Sequence, residues 1–178
     1  FVTQPLPIGG VPIIVITVAA LTDTLKIGDG LSGFANSSIW LIVAAFLFSR
    51  GFIKTGLGKR IAYNLIAAFG SSSLRLSYAL ALSDLILAPA TPSNTARVGG
   101  VVMPITASLA KAFGSDPQES PRKIGAFLMQ AIYQVNTITS AMFMTAMAGN
   151  TLVAALALQS FGITITWGDW AIAAIVPG

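Results

Sequence analysis

Apolar residues fall into blocks that are cut by short polar stretches, and the block lengths are uneven. Leu6–Leu25 matches the about 20 apolar residues that a membrane-crossing helix needs, and Ser38–Phe52, entered at Trp40, reads as a second span. Leu76–Ala90 and Val98–Phe113 are shorter; about fifteen residues at about 1.5 Å of rise each fall short of a hydrocarbon core about 30 Å thick. Between these two blocks lies the polar, Pro-containing stretch Pro92-Ser93-Asn94-Thr95-Ala96-Arg97. Two short apolar helices joined by such a tip read as a re-entrant hairpin over 73–114. Irregular backbone at membrane depth survives only where protein or a wet cavity surrounds it. In secondary transporters, interrupted segments of this kind mark binding sites.

The rest of the chain follows the same logic. Leu57, Ile61, Leu65 and Phe69 recur every four residues, with Lys59, Arg60, Tyr63 and Asn64 on other faces. That pattern predicts an amphipathic helix along an interface, or a short span tilted in a thin bilayer. Ile124–Met147 reads as a long span with a polar middle: Tyr133, Gln134, Asn136, Thr137, Thr139 and Ser140. An interruption is expected at Ala148-Gly149-Asn150, then a short helix over Thr151–Phe161. A loop over Gly162–Trp170 and the start of a further span at Ala171–Pro177 complete the reading. No internal repeat is visible.

Composition makes the membrane reading firm. Of 178 residues, 54% are hydrophobic and 9% charged, against about 25% charged in a soluble domain. The mean hydropathy is +0.80. No Cys and no His are present, so disulfides, thiolate or imidazole metal sites and imidazole bases are excluded within this chain. Ser93 therefore lacks an imidazole base, which argues against an intramembrane hydrolase. The net charge of +4 is read as loop charge that sets topology, with no nucleic-acid partner. Arg50, Lys54, Lys59 and Arg60 form the densest basic cluster, and Arg75, Lys111, Arg122 and Lys123 flank the hairpin. The positive-inside rule puts both on the cytoplasmic side. The first span then runs outward, the second inward, the hairpin dips in from inside, and the long helix runs outward. The chain begins at Phe1 and ends within an apolar run, which reads as a piece of a longer polypeptide. No basic n-region or A-x-A-like site suggests a cleavable signal peptide.

The tip chemistry suits a carboxylate and a small cation together. Ser93, Asn94 and Thr95 stand where the second arm begins; they read either as plain helix caps or as ligands. A helix start offers N–H groups and the positive end of its dipole to an anion. Hydroxyl, amide and backbone oxygens are hard ligands for a cation such as Na⁺. Asp84 in the first arm pairs with Arg97 or another basic residue, faces water, or couples protons. Gly99-Gly100 and Met142, Met144 and Met147 read as packing residues.

Thr91-Pro92-Ser93-Asn94-Thr95-Ala96-Arg97 with Gly99-Gly100, the basic arm before it and the broken helix after it resemble the divalent anion/sodium symporter family. Within it the tip is most similar to 2-oxoglutarate/malate translocators and citrate/succinate antiporters. The resemblance implies an all-α polytopic membrane protein, the first of two inverted repeats, whose second half is missing here. It implies scaffold helices over 1–55, an arm helix over 56–72 and part of a transport domain over 73–178. That part comprises the hairpin 73–114, a broken helix over 123–161 and the start of the next over 167–178. It further implies a homodimer joined through the scaffold and alternating access by an elevator-type motion. Substrates would be di- or tricarboxylates such as 2-oxoglutarate, malate, succinate or citrate, exchanged or carried with Na⁺, with no other cofactor and no catalytic residue. Ser93, Asn94 and Thr95 would hold a substrate carboxylate. Ser93 and Asn94 would hold Na⁺, faced by Thr139, Ser140 and Asn150. Arg97 marks the exchanger-like subgroup and reads either as charge compensation for a dianion or as a structural Arg. A bacterial inner membrane is the expected location, a plastid inner envelope the alternative. The competing reading is a non-transporting channel or assembly subunit.

Overall fold

The computed structural model describes residues 6, 7, 9–70 and 72–178, with the side chains at 37, 38, 41, 45 and 52 set aside. The near-apolar lead-in at 1–5, residue 8 of the first expected span and residue 71 of the arm stretch lie outside the described residues. Among the described residues all regular structure is helical. The chain divides into two units, one ending at Leu41 and one spanning Ile42–Gly178.

In the first unit, α1 is Gly10–Leu21 and α2 is Ile27–Leu31, followed by a 3-10 turn at Ser32–Ala35. α1 stops short of the expected Leu25 because the chain reverses there. Asp23 takes a left-handed φ of 54°, and the Thr24 and Leu25 amides both donate back to the Ala19 carbonyl. Most of α1 is exposed, including Ile13, Ile14, Val15, Val18 and Leu21. α3, Ser37–Thr55, begins in this unit and ends in the next.

The second unit holds α4 (Leu57–Phe69), α5 (Ser73–Leu87), α6 (Asn94–Arg97), α7 (Met103–Ala112), α8 (Ile124–Met142), α9 (Ala148–Phe161) and α10 (Trp167–Ala174). Gly56, at φ 70°, supplies the left-handed turn between α3 and α4, a conformation glycine adopts without a Cβ penalty. α4 has the expected bounds, but its apolar stripe is divided: Ile61 and Leu65 are half-buried while Leu57 and Phe69 stay exposed. Ala62 is fully buried, and Ile61 and Ile66 pack on the same core. Amphipathicity here is met by packing against α5 rather than by an interface alone.

That core gathers Ala62, Leu76, Leu80, Leu87, Val101, Val102, Ile105, Leu128 and Ile132. α5 contributes through Leu76, Ala79, Leu80, Ser83, Asp84 and Leu87, the i, i+3, i+4, i+7 stripe of a one-faced helix. The stripe is apolar at its start and carries Ser83 and Asp84 near its end. α8 shows the same change: Leu128 and Ile132 are buried first, Thr139 and Ser140 later. The two polar ends meet, and that meeting builds the site.

The second hairpin arm starts where expected, at Ser93–Thr95, ahead of its apolar block. Asn94–Arg97 is already helical and continues through a π-turn at Val98–Val102 into α7. Non-helical backbone is confined to Thr91–Ser93. The long helix breaks earlier than expected. α8 ends at Met142, and Phe143 and Met147 are extended around a 3-10 turn at Met144–Ala146. Ala148-Gly149-Asn150, the expected break, is instead the first turn of α9. No described helix is long and apolar enough to cross a membrane. α1 has 12 residues, and α8 is diluted by Gln, Asn, Thr and Ser.

Candidate functional site

Arg97 is the centre of the site, and it is fully buried. A guanidinium has five N–H donors in a fixed fork, and all five are taken by this chain. Nε donates to Asp84 Oδ1 at 2.8 Å. One terminal nitrogen donates to the carbonyls of Thr91 (3.2 Å) and Ala146 (3.3 Å). The other donates to Thr139 Oγ1 (3.3 Å) and Ser140 Oγ (3.0 Å). Asp84 is equally engaged: Oδ2 accepts from the Thr139 hydroxyl and, at 3.5 Å, from the Asn136 amide. The Ser140 hydroxyl itself donates to the Asn136 carbonyl at 2.6 Å. A buried ion pair is tolerable only when its remaining donors and acceptors are met, and here they are. No buried polar side-chain atom among the described residues lacks a partner.

The two interruptions of the unit are fastened to one another around this pair. The Thr145 hydroxyl donates to the Pro89 carbonyl at 2.8 Å, and the Ala148 amide donates to the Pro92 carbonyl at 3.1 Å. Broken helix ends leave carbonyls without partners, and side chains supply them. Asn150 Nδ2 donates to the carbonyls of Ser140 (2.7 Å) and Phe143 (3.0 Å). The Trp170 indole donates to the Ala141 carbonyl at 2.8 Å. The Trp167 indole donates to Thr145 Oγ1 at 3.2 Å and its ring stacks on Phe143.

Ser93, Asn94 and Thr95 sit on the open side of the clamp. Ser93 and Asn94 are half-buried and Thr95 is exposed. The expectation of several free N–H groups at the helix start is not met. Ser93 Oγ accepts the Ala96 amide at 3.2 Å, and Asn94 Oδ1 accepts the Thr95 amide at 2.8 Å and its hydroxyl at 3.4 Å. Because Oδ1 must face these donors, the orientation of the Asn94 amide is determined. Its Nδ2 points the other way and has no partner among the described residues. The tip therefore presents side-chain donors: the Asn94 NH₂ and the Ser93 hydroxyl.

The site residues foreseen from sequence are thus divided. Arg97, Thr139 and Ser140 come together in one buried network, Ser93–Thr95 stand before it, and Asn150 caps α8. No cluster of three or more His, Cys, Asp or Glu side chains occurs among the described residues. An apolar recess of about 670 Å³, lined by Thr137, Ala141, Met142, Trp170 and Ala173 among others, does not include the tip. Sequence reading left Asp84 without a definite partner and did not foresee Thr145 or the Thr91 and Ala146 carbonyls. For Asp84 a signal exists: it is the sole acidic residue between Asp29 and Asp116 and it lies in an apolar block. For backbone carbonyls no sequence signal exists.

The chain matches, over residues 1–178, the family described as the sodium:sulfate symporter transmembrane region. It is 59% identical over 179 residues to a Bacillus subtilis (strain 168) protein named for malate transport, covering 100% of this chain and 37% of that one. It is 49% identical over 178 residues to the chloroplastic dicarboxylate transporter 1 of Spinacia oleracea, covering 99% and 31%. To an L-tartrate/succinate antiporter of Escherichia coli it is 48% identical over 141 residues, covering 79% and 29%. The chain spans about a third of the length of the curated relatives it matches. With its whole length matched, this all-helical chain belongs to the sodium:sulfate symporter family of membrane transporters, the divalent anion/sodium symporters.

Proposed function

We propose that the intact protein is a secondary transporter of di- and tricarboxylates, embedded in a bacterial inner membrane or a plastid inner envelope, and is not an enzyme. The relatives' names for malate, dicarboxylate and tartrate/succinate transport support the substrate class. The observation that carries the reading to a residue is the Asn94 amide. Its oxygen is spent on Thr95, and its two N–H donors face outward from a helix start, where negative charge is favoured. A substrate carboxylate accepts from Asn94 Nδ2 and the Ser93 hydroxyl, with Thr95 setting the Asn94 orientation. Asn94 contributes a donor here, not an oxygen ligand for Na⁺.

Of the two coupling modes, the geometry favours exchange. Thr139 and Ser140, the oxygens that would face Na⁺, already accept from Arg97 and donate to Asp84 and the Asn136 carbonyl, so both are engaged within the protein. The hairpin 73–114 and the α8–α9 break move together as part of the transport domain in an elevator-type cycle. The α4 arm connects them to the scaffold, through which two copies pair.

The test is exchange of labelled 2-oxoglutarate, malate and succinate in proteoliposomes, with the full-length protein and Asn94→Ala, in Na⁺ and in choline. Loss of hydrogen bonds to a charged carboxylate, at about 1.5–3 kcal/mol, lowers flux by roughly ten- to a hundredfold. Equal parental flux in the two salts supports exchange. Unchanged flux in Asn94→Ala refutes the tip as the substrate site.

A further inference from the structure

We infer that Asp84 sets substrate affinity and turnover from behind the site, by cancelling the charge of Arg97 without touching substrate. The inference rests on the reading of Ser93–Thr95 as the carboxylate site. Arg97 belongs to the same helical turn as Asn94, three residues on. Its guanidinium is buried among Asp84, Thr91, Thr139, Ser140 and Ala146 and has no donor left for a ligand. A buried positive charge next to a dianion site would hold the dianion strongly. Asp84 meets that charge at 2.8 Å with its own carboxylate. It is also fixed in place by Thr139 and Asn136. What reaches the tip is the field of a short dipole rather than that of a full charge. A transporter must release what it binds; affinity that is equal throughout the cycle slows release and adds nothing to turnover.

Three variants of the full-length protein test this by exchange kinetics in proteoliposomes. Asp84→Asn leaves Arg97 uncancelled. At an effective dielectric of about 20, an uncancelled unit charge within roughly 10 Å of a carboxylate tightens binding by about twentyfold. KM and kcat then fall together while kcat/KM changes little. Arg97→Gln leaves Asp84 uncancelled and raises KM by about the same factor. Asp84→Asn with Arg97→Gln restores a neutral pair and moves KM back toward the parent. A mere packing role predicts no opposite signs for the two single variants and no recovery in the double. Should Asp84→Asn fail to fold, Arg97→Gln against the double variant still decides. A double variant as impaired as Arg97→Gln alone makes the guanidinium itself the requirement and overturns the inference, as does a KM for Asp84→Asn at or above the parent's. Failure of the underlying reading looks different: Asn94→Ala would then leave flux untouched.

Discussion

The Ala148 amide donates to the Pro92 carbonyl at 3.1 Å, joining two residues that are 56 positions apart. Pro92 lies in the non-helical tip of the hairpin and Ala148 opens α9 after the break in the long helix. Each interruption on its own exposes backbone groups with nothing to bond. Placed together, with Thr145 on Pro89 and Arg97 on Thr91 and Ala146, they satisfy one another. The clamp is what allows two broken helices to coexist in one apolar body.

Asn150→Ala removes the donor from the Ser140 and Phe143 carbonyls. Leaving buried acceptors unmet costs about 1–3 kcal/mol, so the thermal midpoint of the purified full-length protein falls by several degrees. The fall is the same size in Na⁺ and in choline. A Na⁺-dependent gain in midpoint that the parent shows and the variant loses would reassign Asn150 to ion binding.

Gly125→Ala is expected to destabilise by about 1–3 kcal/mol through overpacking. A Cβ there would stand 2.7 Å from Ser115 Oγ and 3.2 Å from the Ala110 side chain. Ser115 Oγ also accepts the Gly125 amide at 3.0 Å, so relief of the clash spoils the bond. Denaturation midpoints of Gly125→Ala, Ser115→Ala and the pair should be non-additive, the pair losing less than the sum.

The surface loop after α7 carries a pH dependence of known sign. Asp116 Oδ1 accepts the amides of Gln118 (2.8 Å) and Glu119 (3.2 Å), and these bonds hold its carboxyl below the ordinary value of 3.8. A lowered value in the folded state means stabilisation that is present above the ordinary carboxylate range and is lost as pH falls through the folded value. Amide hydrogen exchange at Gln118 and Glu119 should therefore speed up, relative to the intrinsic rate, below about pH 4. Asp116→Asn should remove that dependence; a variant that keeps it would place the origin elsewhere.

Much of this molecule is written in local order. The four-residue recurrence from Leu57 to Phe69 marks α4 to the residue, because apolar periodicity and a left-handed Gly56 are both local features. Ser93 announces the helix start because a hydroxyl can cap only its near neighbours. The near absence of charge limits the chain to an apolar environment, and the tip heptapeptide carries the family. Tertiary structure alone decided the rest. Which of Asp84's partners is real depends on α5 and α6 being folded onto each other. Whether Thr139 and Ser140 face a cation or a guanidinium depends on α8 arriving with its polar end at Arg97. Where the long helix breaks was settled by acceptors from another segment, the Pro89 and Pro92 carbonyls. Composition and periodicity report how a residue relates to its neighbours along the chain. Charge cancellation and backbone satisfaction are properties of groups that meet only after folding, and carbonyl oxygens, present at every residue, leave no mark in a sequence.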